Sequence, residues 1–155
     1  MNWPLEAFLS FIAAASFGII FNAPRRTLLS CGLVGMSGWL IYRSYFLMFD
    51  DSVQASFAGA FVVALVAHIL AKKFRMPMII FSIAGIIPLV PGSKAYNAMR
   101  NIVENKYLDA IAFASEALMI SGAVAMGLVF AEVLMQLFFR QQAKRTQRKI
   151  GMTRT

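Results

Sequence analysis

Glu116 lies inside an apolar stretch, with Ala112, Ala117, Met119 and Ile120 around it. An ionisable side chain among hydrocarbon neighbours is costly and is a functional candidate by default. A carboxyl there can carry a proton, hold a substrate ammonium group or pair with Arg43. The competing expectation is a helix that projects beyond the lipid and leaves Glu116 in headgroup water. A second feature is the apolar run 76–92, interrupted by Pro88 and Pro91 and ended by Gly92. Each proline lacks an N–H and blocks the helical bond of the carbonyl four residues back. Backbone groups freed in this way persist at membrane depth only where protein or a water-filled cavity covers them. Broken helices of this kind line substrate sites in transporters. The plainer alternative is a kinked or short span that ends in a turn.

Other reactive types carry less. Gly35-Met36-Ser37-Gly38 would suit a nucleophilic serine, and His68 is the only histidine that could serve it as base. Counted from the same face, the two differ in depth by about 9 Å at 1.5 Å per residue. A base must reach its serine, so catalysis is not expected and the glycines read as a packing face. His68 continues the spacing of Ser56, Ala60 and Ala64, and reads as bonded to a neighbouring helix's carbonyl. Arg43 sits among Trp39, Tyr42 and Tyr45, where a long cationic side chain snorkels to the interface. Glu132 reads as a partner for a basic tail. A single Cys31 excludes an internal disulfide and a multi-cysteine metal site. No phosphate-binding loop, nucleotide motif or metal cluster is visible, so neither metal nor cofactor is expected.

The elements that must position these residues are helical and membrane-bound. Of 155 residues, 59% are hydrophobic and only 14% charged, with a mean hydropathy of +0.68. Several runs reach the length that crosses a bilayer. The expected fold is an all-α integral membrane protein with about five transmembrane segments at 5–23, 27–48, 53–71, 76–92 and 110–139. The fourth is short and broken by Pro88-x-x-Pro91-Gly92. Residues 93–108 follow as an amphipathic helix, with Tyr96, Met99, Val103 and Tyr107 on one stripe. Residues 1–139 form one transmembrane domain and 140–155 a basic tail. No basic region precedes the first apolar run, so no cleaved leader is expected.

The net charge of +8 does not point to nucleic acid, because the cations gather at segment ends. Eleven Lys and Arg residues fall on the side of the 24–26 loop, the 72–75 loop and the tail, against four on the other side. That asymmetry predicts the N-terminus outside and the tail cytoplasmic. Small residues recur at helical spacing: Ser10, Ala14, Gly18 and Asn22; Cys31, Gly35 and Gly38; Ser56, Ala60 and Ala64; Ala117, Ser121 and Ala125. Such stripes let helix backbones approach closely in lipid. Five segments rarely enclose a transport path alone, so a membrane partner is expected.

Phe17-Gly-Ile-Ile-Phe-Asn-Ala-Pro-Arg-Arg26 followed by Leu33-Val-Gly35, and Ile86-Ile-Pro-Leu-Val-Pro-Gly-Ser-Lys-Ala-Tyr96, resemble the threonine/serine exporter family. The resemblance covers nearly the whole chain and is to the small subunits of two-component exporters. It implies a multi-pass protein of the bacterial plasma membrane, a larger membrane partner and a small-molecule substrate. Threonine or serine is the first substrate expected, and a dicarboxylate such as succinate the second. A membrane subunit that only stabilises a larger partner is the alternative. By position the resemblance points to Phe21, Asn22, Pro24 and Arg26, and to Pro88, Pro91, Gly92 and Tyr96, as path or gating residues. Glu116 is the proton-coupling candidate. Arg26 would attract a carboxylate, and N–H groups of the helix beginning near Ser93 would hold it.

Overall fold

The computed structural model describes the backbone of residues 3–152 and the side chains of residues 3–138. All regular structure among the described residues is helical: α1 (Trp3–Ile20), α2 (Leu28–Phe49), α3 (Ser52–Phe74), α4 (Met78–Ile86), α5 (Gly92–Val103) and α6 (Tyr107–Met152). Short 3-10 turns at Arg25–Thr27 and Ile87–Leu89 precede α2 and follow α4. The basic side chains expected in the tail lie outside the described residues.

Four helices end on a non-glycine residue with positive φ: Asn22, Asp50, Arg75 and Asn105. This left-handed step redirects the chain while later N–H groups fold back onto the last carbonyls. After α1, for example, Asn22 N–H donates to Ile19 O and Ala23 N–H to Gly18 O, each at 2.9 Å. The start of α3 is capped by Asp51, whose carboxylate accepts from Val53 and Gln54 N–H, satisfying donors that a helix start leaves free.

Three helices, Trp3–Ile20, Ser52–Phe74 and the Tyr107–Phe138 part of α6, are long and apolar enough to cross a bilayer. A fourth crossing results if Met78–Leu89 and α5, bent by 53°, count as one broken span. The difference from five expected segments lies in α2 and α4. With 22 residues, α2 reaches about 33 Å at 1.5 Å per residue, but its glycines, serines and Arg43 dilute it. With nine residues, α4 covers only about 13 Å.

This short helix is nevertheless central. It packs against α2 and α3, and more lightly against α1. Phe81 on it is fully buried, and forms a core with Cys31, Val34, Ala60, Val63, Ala84, Leu89 and Val124. Because lipid is as apolar as the side chains, this assembly rests on close packing. Two glycines show how close: a Cβ on Gly38 would collide with Val63, and one on Gly59 would lie 3.0 Å from the Gly38 carbonyl oxygen. The small stripes on α1 and α3 are buried as expected: Ser10, Ala14 and Gly18 on one, Ser56, Ala60 and Ala64 on the other.

The small-residue stripe on α6 is not used within the bundle. Ser121 and Ala125 are exposed, and α6 packs instead through Ala110, Ile120, Val124 and Ala131. Gly127 meets the α3 backbone, where a Cβ would lie 2.7 Å from Phe57 O. Two stripes of small residues run along this helix, and backbone approach to α3 selected the one with Gly127. The stripe of Tyr96, Met99, Val103 and Tyr107 also faces outward, each residue at least 60% exposed. α5 therefore packs against α6 through its other side, where Ala98 is buried.

Candidate functional site

The break begins where Pro88 removes the N–H that would bond Ala84 O. The chain tightens into the 3-10 turn, and Val90, extended at φ −64° and ψ 130°, donates to Ile87 O at 3.3 Å. Pro91 takes φ −76° and ψ 52°, close to an inverse γ-turn, and Gly92 N–H bonds Val90 O at 2.8 Å. Then α5 starts without any side-chain cap. Leu89 anchors the turn: it is 4% exposed and seats against Gly38 and Gly59, the two glycines at the α2–α3 crossing. Gly38 is ten residues into α2, so the break sits about 15 Å from its start, near mid-depth.

Above the break is a pocket of about 260 Å³. Its wall includes Pro88, Leu89, Val90 and Pro91, and its polar groups come from Tyr42, Ser52, Ser56, Ser93 and Lys94. Ser56 Oγ donates to Ser52 O at 2.7 Å. Lys94 Nζ lies 2.7 Å from Glu116 Oε1 and 5.7 Å from the Phe113 ring centroid. Both charged side chains are about one-third exposed, so the pair sits on the rim and not deep in the protein.

Glu116 therefore pairs with Lys94 and not with Arg43. Arg43 faces Glu6 on α1, with Nε 3.5 Å from Oε2. That contact brings the charges close without hydrogen-bond alignment, since neither atom has a hydrogen-bond partner. Two interhelical ion pairs, Glu6–Arg43 and Lys94–Glu116, thus stand on the half of the bundle opposite the loops carrying Arg25, Arg26, Lys72 and Lys73.

The site residues expected from sequence divide sharply. Pro88 and Pro91 line the pocket. Gly92 is exposed, has no positive φ and nothing within 4 Å of a Cβ built on it, so neither backbone nor packing demands glycine there. Tyr96 is 67% exposed and is not part of the pocket wall. Asn22, Pro24 and Arg26 are exposed in the loop at the other end. There Asn22 supplies the left-handed cap of α1, not a place on its buried stripe. Pro24 O accepts from Thr27 N–H and Oγ1–H, both at 2.8 Å. Asn22 is eight residues from Ala14, the α1 residue level with Gly35 and Pro88, or about 12 Å along the helix. The two sets are not brought together.

His68 is a further correction: its Nδ1 lies 3.3 Å from Ala64 O of its own helix, not from a neighbouring helix's carbonyl. Ser37 Oγ donates to Val34 O at 2.8 Å, and Gly35 and Gly38 are packing positions against Ala14 and Val63. Glu132 accepts from Gln136 at 3.3 Å. Among the described residues no cation pairs with it. The residues missed from sequence are Lys94, Ser52, Ser56 and Tyr42. One signal for Lys94 existed: it lies eleven residues before Asn105 and Glu116 eleven after, so a helical hairpin turning there brings them level.

A bundle of apolar helices around a discontinuous one, with several helices long enough to cross a bilayer, defines a multi-pass membrane protein. The family described as "Threonine/Serine exporter, ThrE" matches residues 6–134, and the chain belongs to it. That region holds both ion pairs and the whole break. The chain is 28% identical over 121 residues to a threonine/serine exporter of Corynebacterium glutamicum, covering 78% of this chain and 24% of that protein. It thus spans about a quarter of the length of the relative it matches. No solved structure matches.

Proposed function

We propose that this chain is the small membrane subunit of a two-component secondary exporter for carboxylate-bearing metabolites. Threonine or serine is the first substrate, and a dicarboxylate such as succinate the second. The observation that carries the reading is the pocket at the break, which combines an ammonium group, three serine hydroxyls and the uncapped start of α5. A substrate carboxylate docks on Lys94 and the free N–H groups of that helix start. In doing so it displaces Glu116, which is then free to take a proton from the outer solution. Substrate release and proton entry are coupled through this exchange of partners on Lys94. Pro88 and Pro91 hold the break in shape, with Leu89 as the plug beneath the pocket. Arg26, beside Asn22 and Pro24 at the other mouth, raises the local concentration of anions.

The charge asymmetry supports an orientation with the pocket outside and the basic loops cytoplasmic, in a bacterial inner membrane, with α2 and the broken helix completing five segments. A partner is supported by an unused face of α6. Ala114, Leu118, Ser121, Gly122, Ala125 and Val129 share one side of that helix and all are exposed, a surface that suits close approach by another helix. That partner is the larger subunit of the exporter.

Co-expression tests the proposal. Cells carrying this chain and its partner should export radiolabelled threonine or serine, or succinate, faster than cells carrying the partner alone. Equal export by the partner alone would reduce this chain to a stabilising subunit.

A further inference from the structure

A second cavity, of about 320 Å³, lies between α4 and α6. Its wall is apolar (Met78, Ile79, Ile83, Ile86 and Leu128) except for two side chains, Ser82 and Glu132. Ser82 is only 8% exposed, and its buried Oγ has no hydrogen-bond partner. That is unusual in this protein, where Ser10, Ser37, Ser44, Ser56, Ser115 and Ser121 each donate to a carbonyl one turn back. A buried hydroxyl without a partner costs about 1–3 kcal/mol, and rotation about χ1 to another staggered rotamer would turn the Oγ toward the cavity that its residue lines. Glu132 supplies the charge, with Gln136 as its one hydrogen-bond partner among the described residues.

We infer that the α4–α6 cleft is a cytoplasm-facing binding site for the primary ammonium end of an amino acid, held by the Glu132 carboxylate and the Ser82 hydroxyl. A carboxylate and a hydroxyl in an apolar pocket select an ammonium donor and reject a second carboxylate. The two cavities are then complementary: the outer one presents a cation to the substrate's carboxylate, the inner one an anion to its ammonium group. Ile86 lines the inner cavity while Pro88 and Leu89 line the outer one. Along α6 the two are about 12 Å apart, from Ile120 in the outer wall to Leu128 in the inner one. The substrate class rests on the exporter reading above, whereas the site itself does not.

The test uses the full chain with its partner in inside-out vesicles, with Cys31→Ala removing the native thiol. Ile79→Cys places a reporter in the cleft, and Ile83→Cys serves should that variant misassemble. A membrane-impermeant maleimide should label the reporter, and threonine and ethanolamine should slow the labelling while succinate does not. Glu132→Gln should raise the half-protecting concentration about tenfold, the loss of one charge-assisted hydrogen bond; Ser82→Ala should raise it less. A reporter that does not label overturns the inference, as does protection by succinate that survives Glu132→Gln. Protection by ammonium compounds without measurable export would uphold the site and sink the exporter reading. Export of succinate without ammonium protection would do the reverse.

Discussion

Two proline-bearing connections of this chain both close turn hydrogen bonds, but only one of them lines the polar pocket. The loop at residues 21–27 closes its own hydrogen bonds. Asn22 turns left-handed, Ala23 N–H returns to Gly18 O, and Pro24 O accepts twice from Thr27. The break at residues 88–92 makes two turn bonds of its own, Val90 N–H to Ile87 O and Gly92 N–H to Val90 O, yet it is also walled by side chains from elsewhere in the bundle. Its helix starts without a side-chain cap, and the polar groups around it belong to three helices, α2, α3 and α5, that meet at a pocket. A proline motif in a loop at the membrane surface can thus be fully explained by local geometry. A proline pair in the middle of an apolar segment needs the rest of the bundle to cover it. The same resemblance marks both, and only the geometry separates cap from pocket.

The largest effect should come from the pocket. Lys94→Met removes the charge proposed to bind the substrate carboxylate and should lower export by about a hundredfold, near the upper end for a hydrogen bond to a charged group. Glu116→Gln should leave substrate binding intact and uncouple export from the proton gradient, read as flux with and without an imposed pH difference. If Glu116→Gln leaves proton-coupled flux unchanged, the partner-exchange mechanism fails.

The seat of the break comes next. Gly38→Val forces a side chain into Val63 and the α3 backbone, and overpacking of this kind costs about 1–3 kcal/mol. Denaturant titration in mixed micelles should show that loss, and export should fall with it because Leu89 loses its socket. Gly92→Ala, only four residues beyond Pro88 but in open space, should change stability by no more than about 0.5 kcal/mol. A large stability loss there would show that packing, not function, had been misjudged at the break.

The loop provides the contrast. Asn22→Gly keeps the left-handed cap and should be nearly silent in both stability and export. Asn22→Val should cost about 1–2 kcal/mol, because a β-branched residue resists positive φ. Abolished export in a stably folded Asn22→Gly variant would move Asn22 from cap to path and erase the distinction between the two connections.

Much of this was legible from residues alone. Apolar runs and their breakers placed every helix, because Pro24, Pro77, Pro88 and Pro91 interrupt the helical pattern; the largest miss is the end of α6, expected at 139, which continues to Met152 through residues read as a tail. The pocket was legible only as a break. Its polar wall is assembled from α2, α3 and α5, and no local pattern announces that Ser52 and Lys94, forty-two residues apart, share a cavity. Glu116 was recognised as unusual, but Arg43 was the one protein cation weighed for it, although Arg43 and Lys94 lie on the same side by topology. Choosing between them needed the hairpin register about Asn105. Likewise, small residues recur on two sides of α6, and spacing alone does not say which one meets α3.

That hairpin turn also sets the smallest and most discriminating prediction. Glu104 closes it, accepting from Lys106 Nζ at 2.8 Å and Arg100 Nε at 2.7 Å. These two hydrogen bonds hold its carboxyl below the usual carboxylate range. A carboxyl depressed on folding stabilises the turn above its unfolded-state value, near 4.3 for glutamate, and loses that contribution as pH falls through the lower folded value. The cluster is at the surface, where such pairs are worth little. Amide exchange at residues 104–106, corrected for intrinsic rate, should therefore rise only slightly on acidification, and Glu104→Gln should remove the dependence. Because the turn fixes the register of Lys94 against Glu116, export at neutral pH should be almost unchanged in that variant. A strong loss would mean that the surface cluster, and not α5–α6 packing, aligns the ion pair at the pocket rim.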